Sequence, residues 1–299
     1  MTDNNRSQDD IVAVPLKHPW RWVSAIFVGL VLAWLIYSLV TAPTIRHDVI
    51  AKYLFDIQIL QGAWLTVVLT FLSMFIATVL AVLLAIMRIS DNIVLRSSAS
   101  LFVNFFRGTP LLLQIVFWGY LGIIWPDIIL GIPFTDIVFF SAPTNDVISA
   151  FTAGVIALSL NEAAYASEIV RAGITSVDSG QSEAAKSLGM TTGRMYRRIV
   201  LPQAMRVIIP PMGNETISMM KSTSLLAVVA VMELYTRASQ ISSQNLAQIE
   251  LLVVAGFWYL VLNAILSVPQ NYLEKKYGRG FTTTSSAKRW FSGVPKAAS

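Results

Sequence analysis

Apolar residues in this chain come in long blocks, and three of the blocks run without a single charge: Trp22 to Val40, Ala63 to Met87 and Leu251 to Leu273. A helix needs roughly 20 mostly apolar residues to cross a bilayer, so each block predicts a transmembrane span. Three further blocks, Ser97 to Trp125, Val147 to Val170 and Val207 to Thr236, carry one or a few charges. The pattern predicts an all-α polytopic membrane protein of about six transmembrane helices. The first block follows Lys17 and Arg21 and ends in Val40-Thr41-Ala42, as a cleaved secretory signal would. It is long for a signal core, however, and Pro43 would follow the cut, so the block reads as an uncleaved anchor.

Composition agrees: 55% of the 299 residues are hydrophobic, 13% are charged and the mean hydropathy is +0.63, outside the soluble range. Cys is absent and the only histidines are His18 and His47, which starves disulfide, thiolate and Cys/His metal chemistry of ligands. The net charge of +5 fits basic membrane-flanking loops better than nucleic acid. With the N-terminus inside, Arg6, Lys17, Arg21, Arg88, Arg96, Arg171, Lys186, Arg194, Arg197, Arg198, Arg206, Lys275, Lys276, Arg279, Lys288, Arg289 and Lys296 fall inside, and only Arg46, Lys52 and Arg237 fall outside. This asymmetry predicts two cytoplasmic termini. No internal repeat marks a pseudo-symmetric pore. No G-x-x-x-x-G-K-[ST] segment is present, so the chain has no Walker cradle for a nucleoside triphosphate. The Ser/Thr-rich tail after Gly280 predicts disorder.

One polar interval interrupts the apolar pattern: "RAGITSVDSGQSEAAKSLGMTTGRMYRRIVLPQAMRVIIP", residues 171–210. Asp178 or Ser179 can cap a short helix that Gly189 stops, and Thr191 or Thr192 can cap a second that Pro202 ends. On the first helix Ala184, Ala185 and Leu188 are expected near one face, rimmed by Glu183 and Lys186. Such a helix suits another protein's groove, and equally an anionic lipid surface. The spacing Glu183-Ala184-Ala185, Gly189, Ile199, Leu201, Pro202 resembles the EAA-x3-G-x9-I-x-L-P loop of ABC importer permeases. "RGTPLLLQ", "NEAAYASEIVRAGI", "LPQAMRVIIPPMGNE" and "KSTSLLAVV" are similar to the polar amino acid permeases of the histidine, glutamine, glutamate and arginine group.

The resemblance spans residues 56–275. It implies a five-helix permease core, an added N-terminal helix with its outer linker at 22–55, and cytoplasmic tails at 1–21 and 276–299. It implies that Glu183, Ala184, Ala185, Lys186, Leu188 and Gly189, followed by Ile199, Leu201 and Pro202, form the loop that docks into a partner ATPase. That ATPase would bind ATP and Mg, leaving this chain with no cofactor and no enzymatic activity of its own. It further implies a second permease subunit, a solute-binding protein on the outer face, a polar amino acid as substrate and a place in a bacterial inner membrane.

Charges inside the spans need a polar path or an escape to the interface, at about 3 kcal/mol or more each. If Thr109 caps a span whose first helical residue is Pro110, Ser97 to Phe106 becomes an interfacial helix and the Arg107-Gly108 pair sits at headgroup depth in a structural role. Glu168 and Arg171 are spaced for a surface ion pair. Glu162, with Asn161 beside it and Tyr165 one turn on, is either an interhelical hydrogen-bonding carboxyl or a lining of the path for the substrate's cation. After Pro210, Pro211 and Gly213, Asn214 is expected to restart the span, with Glu215 in its favourable first turn. Lys221, Ser222 and Thr223 form a deeper hydrophilic patch, for the path or for the partner permease, and Glu233 is expected at the outer interface. The outer loop from Pro126 to Asp146 is apolar enough to pack down on the spans. An ion-driven carrier would leave the 183–202 pattern unexplained, and a membrane enzyme would lack a catalytic set.

Overall fold

A computed structural model describes residues 19–277 except 133, 134 and 136, so most of both expected tails lies outside the described residues. The chain divides into two compact units between His47 and Asp48. The first holds α1 (Pro19–Val40), apolar on all sides, with Trp22, Phe27, Leu30 and Trp34 exposed. At 22 residues it is about 33 Å long, and its stretch Trp22–Leu35 is an apolar helix shorter than a full span.

The second unit opens with α2 (His47–Leu54) within the expected outer linker, and Val49, Ile50, Tyr53 and Leu54 pack on a core cluster around Ile59, Leu234 and Leu251. Asp56 then caps α3 (Ile57–Ile89), accepting from the Gln58 amide at 2.8 Å. Asn92 caps α4 (Ile93–Gly108) in the same way, and the short turn between them makes α3 and α4 antiparallel. Ala77, Leu80, Leu84 and Met87 of α3 meet Ala99, Phe102 and Val103 of α4.

The central element is α8 (Ala150–Thr175), which touches α3, α4, α5 (Leu111–Gly119) and α11 (Leu201–Ser222). Its buried face carries Ala153, Gly154, Ala157, Ser159, Ala163, Ala166 and Ser167, small side chains that let neighbouring backbones approach closely. Between α5 and α8 lie α6 (Leu121–Ile124), a hairpin of β1 (Asp127–Gly131) and β2 (Val138–Pro143), and α7 (Thr144–Val147). The hairpin is exposed along nearly its whole length and does not pack down on the spans as its apolar content suggests. After α8 come α9 (Ser179–Ser187), α10 (Thr192–Met195), a π-helical turn at Tyr196–Val200, α11, a 3-10 segment at Thr223–Val229, α12 (Leu234–Asn245) and α13 (Gln248–Tyr277).

Among the described residues, α3 and α13 are each long and apolar enough to cross a membrane. Two bent pairs reach the same criterion: α4 with α5, bent by 100°, and the 192–229 stretch with α12, bent by 45°. The expected interfacial helix is not formed. Ser159 donates to the Ser73 carbonyl at 3.3 Å and Asn161 to the Phe106 carbonyl at 3.1 Å, which levels the end of α4 with the middle of α3. α4 and α5 are therefore the two arms of one bent pair, and Arg107 leaves the backbone in the last turn of α4, at the bend. Thr109 ends α4 and does not cap α5: its hydroxyl turns back to the Phe105 carbonyl at 2.9 Å, and Pro110 occupies the cap position.

Two proline expectations also fail. Pro202 sits in the first turn of α11 and does not end a helix, because the π turn before it shifts the hydrogen-bond register and frees the position from donating. α11 then passes through Pro210, Pro211, Gly213 and Asn214 without a restart. The Gln270 side chain of α13 donates to the Pro210 carbonyl at 2.8 Å and ties α13 to α11 at this point. Gly213 makes room for it, since a Cβ there would collide with the Gln270 amide oxygen.

Candidate functional site

The polar interval at 171–210 folds as a rigid elbow. Asp178, not Ser179, is the cap of α9, accepting from the Gly180 amide at 2.7 Å. At the other end the Gly189 amide donates to the Lys186 carbonyl at 2.9 Å and the Met190 amide to the Ala185 carbonyl at 3.0 Å, with Gly189 at φ 72°. This paired C-terminal closure needs the left-handed region, where glycine carries no Cβ penalty. Thr191 precedes α10 without a side-chain cap bond.

Ala185 is 1% exposed and packs with Met195 and Val200 in a small cluster that Ile174, Val177, Tyr196 and Ile199 complete. It therefore lies on the loop's own core, away from the face where Ala184 and Leu188 stand together. Leu188 is 81% exposed, and Glu183, Ala184 and Lys186 share that exposure. Leu201 and Pro202 are exposed at the start of α11. The geometry assigns a use to each residue type: a small residue to seat α9 on its cluster, a glycine to close it, and an exposed leucine to present outward.

Glu168 is not a simple surface partner of Arg171. Arg171 reaches it at 2.9 Å, but Arg88 from the end of α3 also bonds it, and Arg107 extends to it at 3.4 Å. One carboxylate thus joins α3, α4 and α8, and Arg107 escapes the bilayer centre by running along α8, its guanidinium 5.2 Å from the Tyr165 ring centroid. Gly108 and Pro110 are exposed at this break, and Gln114 bridges it, donating to the Phe106 and Thr109 carbonyls at 3.0 and 3.1 Å. Asn161 belongs to this clasp, because its amide donates to Phe106 and to Gln114.

Glu162 is 7% exposed, and its Oε1 has no hydrogen-bond partner, so the expected interhelical bond is not formed through that atom. Its electrostatic neighbour is Glu215, brought across from α11. Within the expected hydrophilic patch, Thr223 is fully buried and bonded to the Met220 carbonyl at 2.7 Å, and Ser222 to Ser218 at 3.1 Å. Only Lys221 of the three stands clear, in line with Asn214 and Ser218 at helical spacing on an exposed stripe of α11. A cleft of about 940 Å³ between α3 and α11, lined by residues such as Phe71, Phe75, Met205 and Ile209, is almost wholly apolar and holds none of these charges.

Glu233 is 0% exposed, not interfacial. It caps α12, accepting from the Tyr235 and Thr236 amides at 3.0 and 2.8 Å and from the Tyr259 hydroxyl at 2.7 Å. The sequence reading missed Gln114, Arg88, Gln270 and Tyr259. The available signal was a polar residue isolated within or at the end of an apolar block.

Comparison with known proteins agrees with this architecture. The family model described as "Binding-protein-dependent transport system inner membrane component" matches residues 77–279. The chain is 46% identical to an arginine transport system permease protein of Corynebacterium glutamicum over 280 residues, 93% of this chain and 87% of that protein. It is 39% identical to an L-cystine transport system permease protein of Bacillus subtilis over 220 residues, 73% of this chain and 86% of that one. A crystal structure of an amino acid ABC transporter with histidines matches at 33% identity and a TM-score of 0.61, covering 73% of this chain and 94% of the solved one.

Proposed function

The chain belongs to the binding-protein-dependent transport system inner membrane components, as a multi-pass permease subunit of the ABC amino acid importers, and from that premise we propose that it carries cationic amino acids inward by alternating access. The observation that carries the coupling role is α9: a short, exposed helix closed at both ends, seated on its own cluster and linked to α8 by a short turn and to α11 through α10 and the π turn. A partner ATPase that grips Glu183, Ala184, Lys186 and Leu188 displaces a rigid body, and α8 and α11 move with it. ATP and Mg belong to that partner. Coupling requires the ATPase and the outer solute-binding protein to favour different states of the permease pair, since a ligand shifts an equilibrium only by its differential affinity. The α9 side is cytoplasmic in this reading, with both termini on the same side, in keeping with the Lys and Arg bias.

The path runs between two permease subunits, along the α11 stripe. Glu162, with an oxygen that has no hydrogen-bond partner and Glu215 as its electrostatic neighbour, offers an acceptor that a substrate cation can engage, and Lys221 offers positive charge to its carboxylate. The similarity to an arginine permease supports a basic amino acid. The test is reconstitution with ATPase and binding protein in proteoliposomes, scoring which amino acid stimulates ATP hydrolysis and uptake. Glu162→Gln should lower uptake of arginine or lysine relative to glutamine, and an unchanged profile removes the assignment. Accumulation by the permease without an ATPase would remove the coupling reading.

A further inference from the structure

The β1–β2 hairpin is an arm with nothing to hold. It leaves a closed base, where the Thr144 amide donates to the Pro126 carbonyl at 2.8 Å and the Thr144 hydroxyl to the Trp125 carbonyl. Beyond that base its main neighbour is the four-residue α7. Its pairing sets Ile128 opposite Ala142, Ile129 opposite Ser141 and Leu130 opposite Phe140, with a bulge before Gly131 meets Val138 that leaves Phe139 as the extra residue. Successive side chains point to opposite faces of a strand. Ile129 therefore lies on one face with Asp127 and Ser141, and Ile128 and Leu130 lie with Phe140 and Ala142 on the other, which is wholly apolar. Ile129 is 59% exposed, Leu130 59%, Val138 54% and Phe139 71%.

A lone two-stranded hairpin is marginally stable in water, and one with a wholly apolar exposed face needs a cover. Three covers are available. Lipid hydrocarbon is excluded for most of the arm, because both outer strand edges carry unpaired backbone groups that hydrocarbon cannot satisfy. A solute-binding protein must arrive and leave in every cycle, and transient interfaces of that kind are more polar than permanent ones. A permanent partner fits the apolar surface and can also pair an edge strand. The exposed strip Leu113, Phe117, Tyr120 and Ile124 on α5 and α6 leads into the arm and extends the same apolar surface.

We propose that the hairpin is a clasp to the second permease subunit, laid across the outer mouth of the pair by apolar packing and strand addition. This rests on the two-permease reading above. The chain has no cysteine, so single-site probes need no background removal. p-Benzoylphenylalanine is placed at Phe139, and separately Ile129→Cys is labelled with a benzophenone maleimide and irradiated, in the assembled importer in proteoliposomes. The expected result is a permease–permease adduct in both cases, formed with or without binding protein, in complexes that still transport. Adducts only to lipid, adducts only when binding protein is added, or no adduct in a transporting complex each overturn the clasp. If the Phe139 variant does not assemble, the same probe at Val138 carries the test. Native mass spectrometry separates the two levels: two permease subunits without a hairpin adduct refute the clasp alone, and one permease subunit per complex refutes the two-permease reading.

Discussion

Glu233→Ala should be the most destabilising single change among the polar residues of the spans. The carboxyl accepts from two amides of the first turn of α12, from the Thr236 hydroxyl at 2.9 Å and from Tyr259 at 2.7 Å. Loss of the cap costs about 1 kcal/mol. The Tyr259 hydroxyl, half-buried and left with the Thr66 and Thr223 hydroxyls in place of a carboxylate, adds about 1–3 kcal/mol, and the space vacated at a fully buried site adds about 1 kcal/mol more. Thr66 contributes little, because its hydroxyl keeps the Gly62 carbonyl at 3.1 Å. The sum is about 4 kcal/mol, which at about 2 °C per kcal/mol for a chain of this size lowers the melting temperature by about 8 °C. Thermal unfolding of the purified protein in detergent measures it. Tyr259→Phe alone should cost about 1 kcal/mol, and the double variant should be more stable than the sum of the singles predicts by about that amount, since the hydroxyl deprived of the carboxylate is then gone. A melting temperature for Glu233→Ala within 2 °C of the parent, or strict additivity in the cycle, would refute the assignment of Glu233 as the knot of α3, α12 and α13.

Gly213→Ala should lower the melting temperature by about 5 °C, from a loss of about 2–3 kcal/mol as the new Cβ displaces the Gln270 amide from the Pro210 carbonyl; shortening the neighbour with Gln270→Ala should recover part of it. Glu168→Gln leaves three guanidinium groups around a neutral amide and should cost about 2–3 kcal/mol in thermal unfolding, whereas Arg107→Gln, at 44% side-chain exposure, should cost less than about 1 kcal/mol. Leu188→Asp should abolish amino-acid-stimulated ATP hydrolysis in the reconstituted importer, by about tenfold or more, with the melting temperature unchanged because the side chain packs on nothing in this chain.

The blocks of apolar residues located the long helices because burial in lipid depends on composition over some 20 positions, and no single residue can reverse it. The elbow was legible for a different reason: Asp178 and Gly189 act through their own backbone neighbourhood, so a local reading suffices. What the sequence hid was every feature decided between helices. Ala185 and Leu188 are three apart on one helix, and only the position of the 195–200 turn determines which of them faces inward. Arg107 read as interfacial because its depth is fixed by Ala99 and Val103 packing on α3, 10 to 30 residues away along the chain. Pro202 and Pro210 read as helix ends because proline breaks a lone helix, and neither the π turn before the one nor the Gln270 side chain beside the other can be inferred from local spacing.

These misreadings share a cause that narrows the search for the transport path. At two of the interruptions, freed backbone groups are met by polar side chains that look gratuitous in the sequence: Gln114 and Asn161 at the Thr109 break, and Glu233 where the left-handed Ala230 turns the chain into α12. Polar residues within apolar blocks therefore answer helix breaks first. Removing those so occupied, together with the Glu168 cluster and the exposed Arg206 at the start of α11, leaves Glu162, Glu215 and Lys221 as the acidic and basic side chains of α8 and α11 that no hydrogen bond or ion pair engages among the described residues. Retaining three such groups in a bilayer is costly unless something transient shares their charge. An amino acid with a cationic side chain, carrying charges of both signs, has the chemistry to do so.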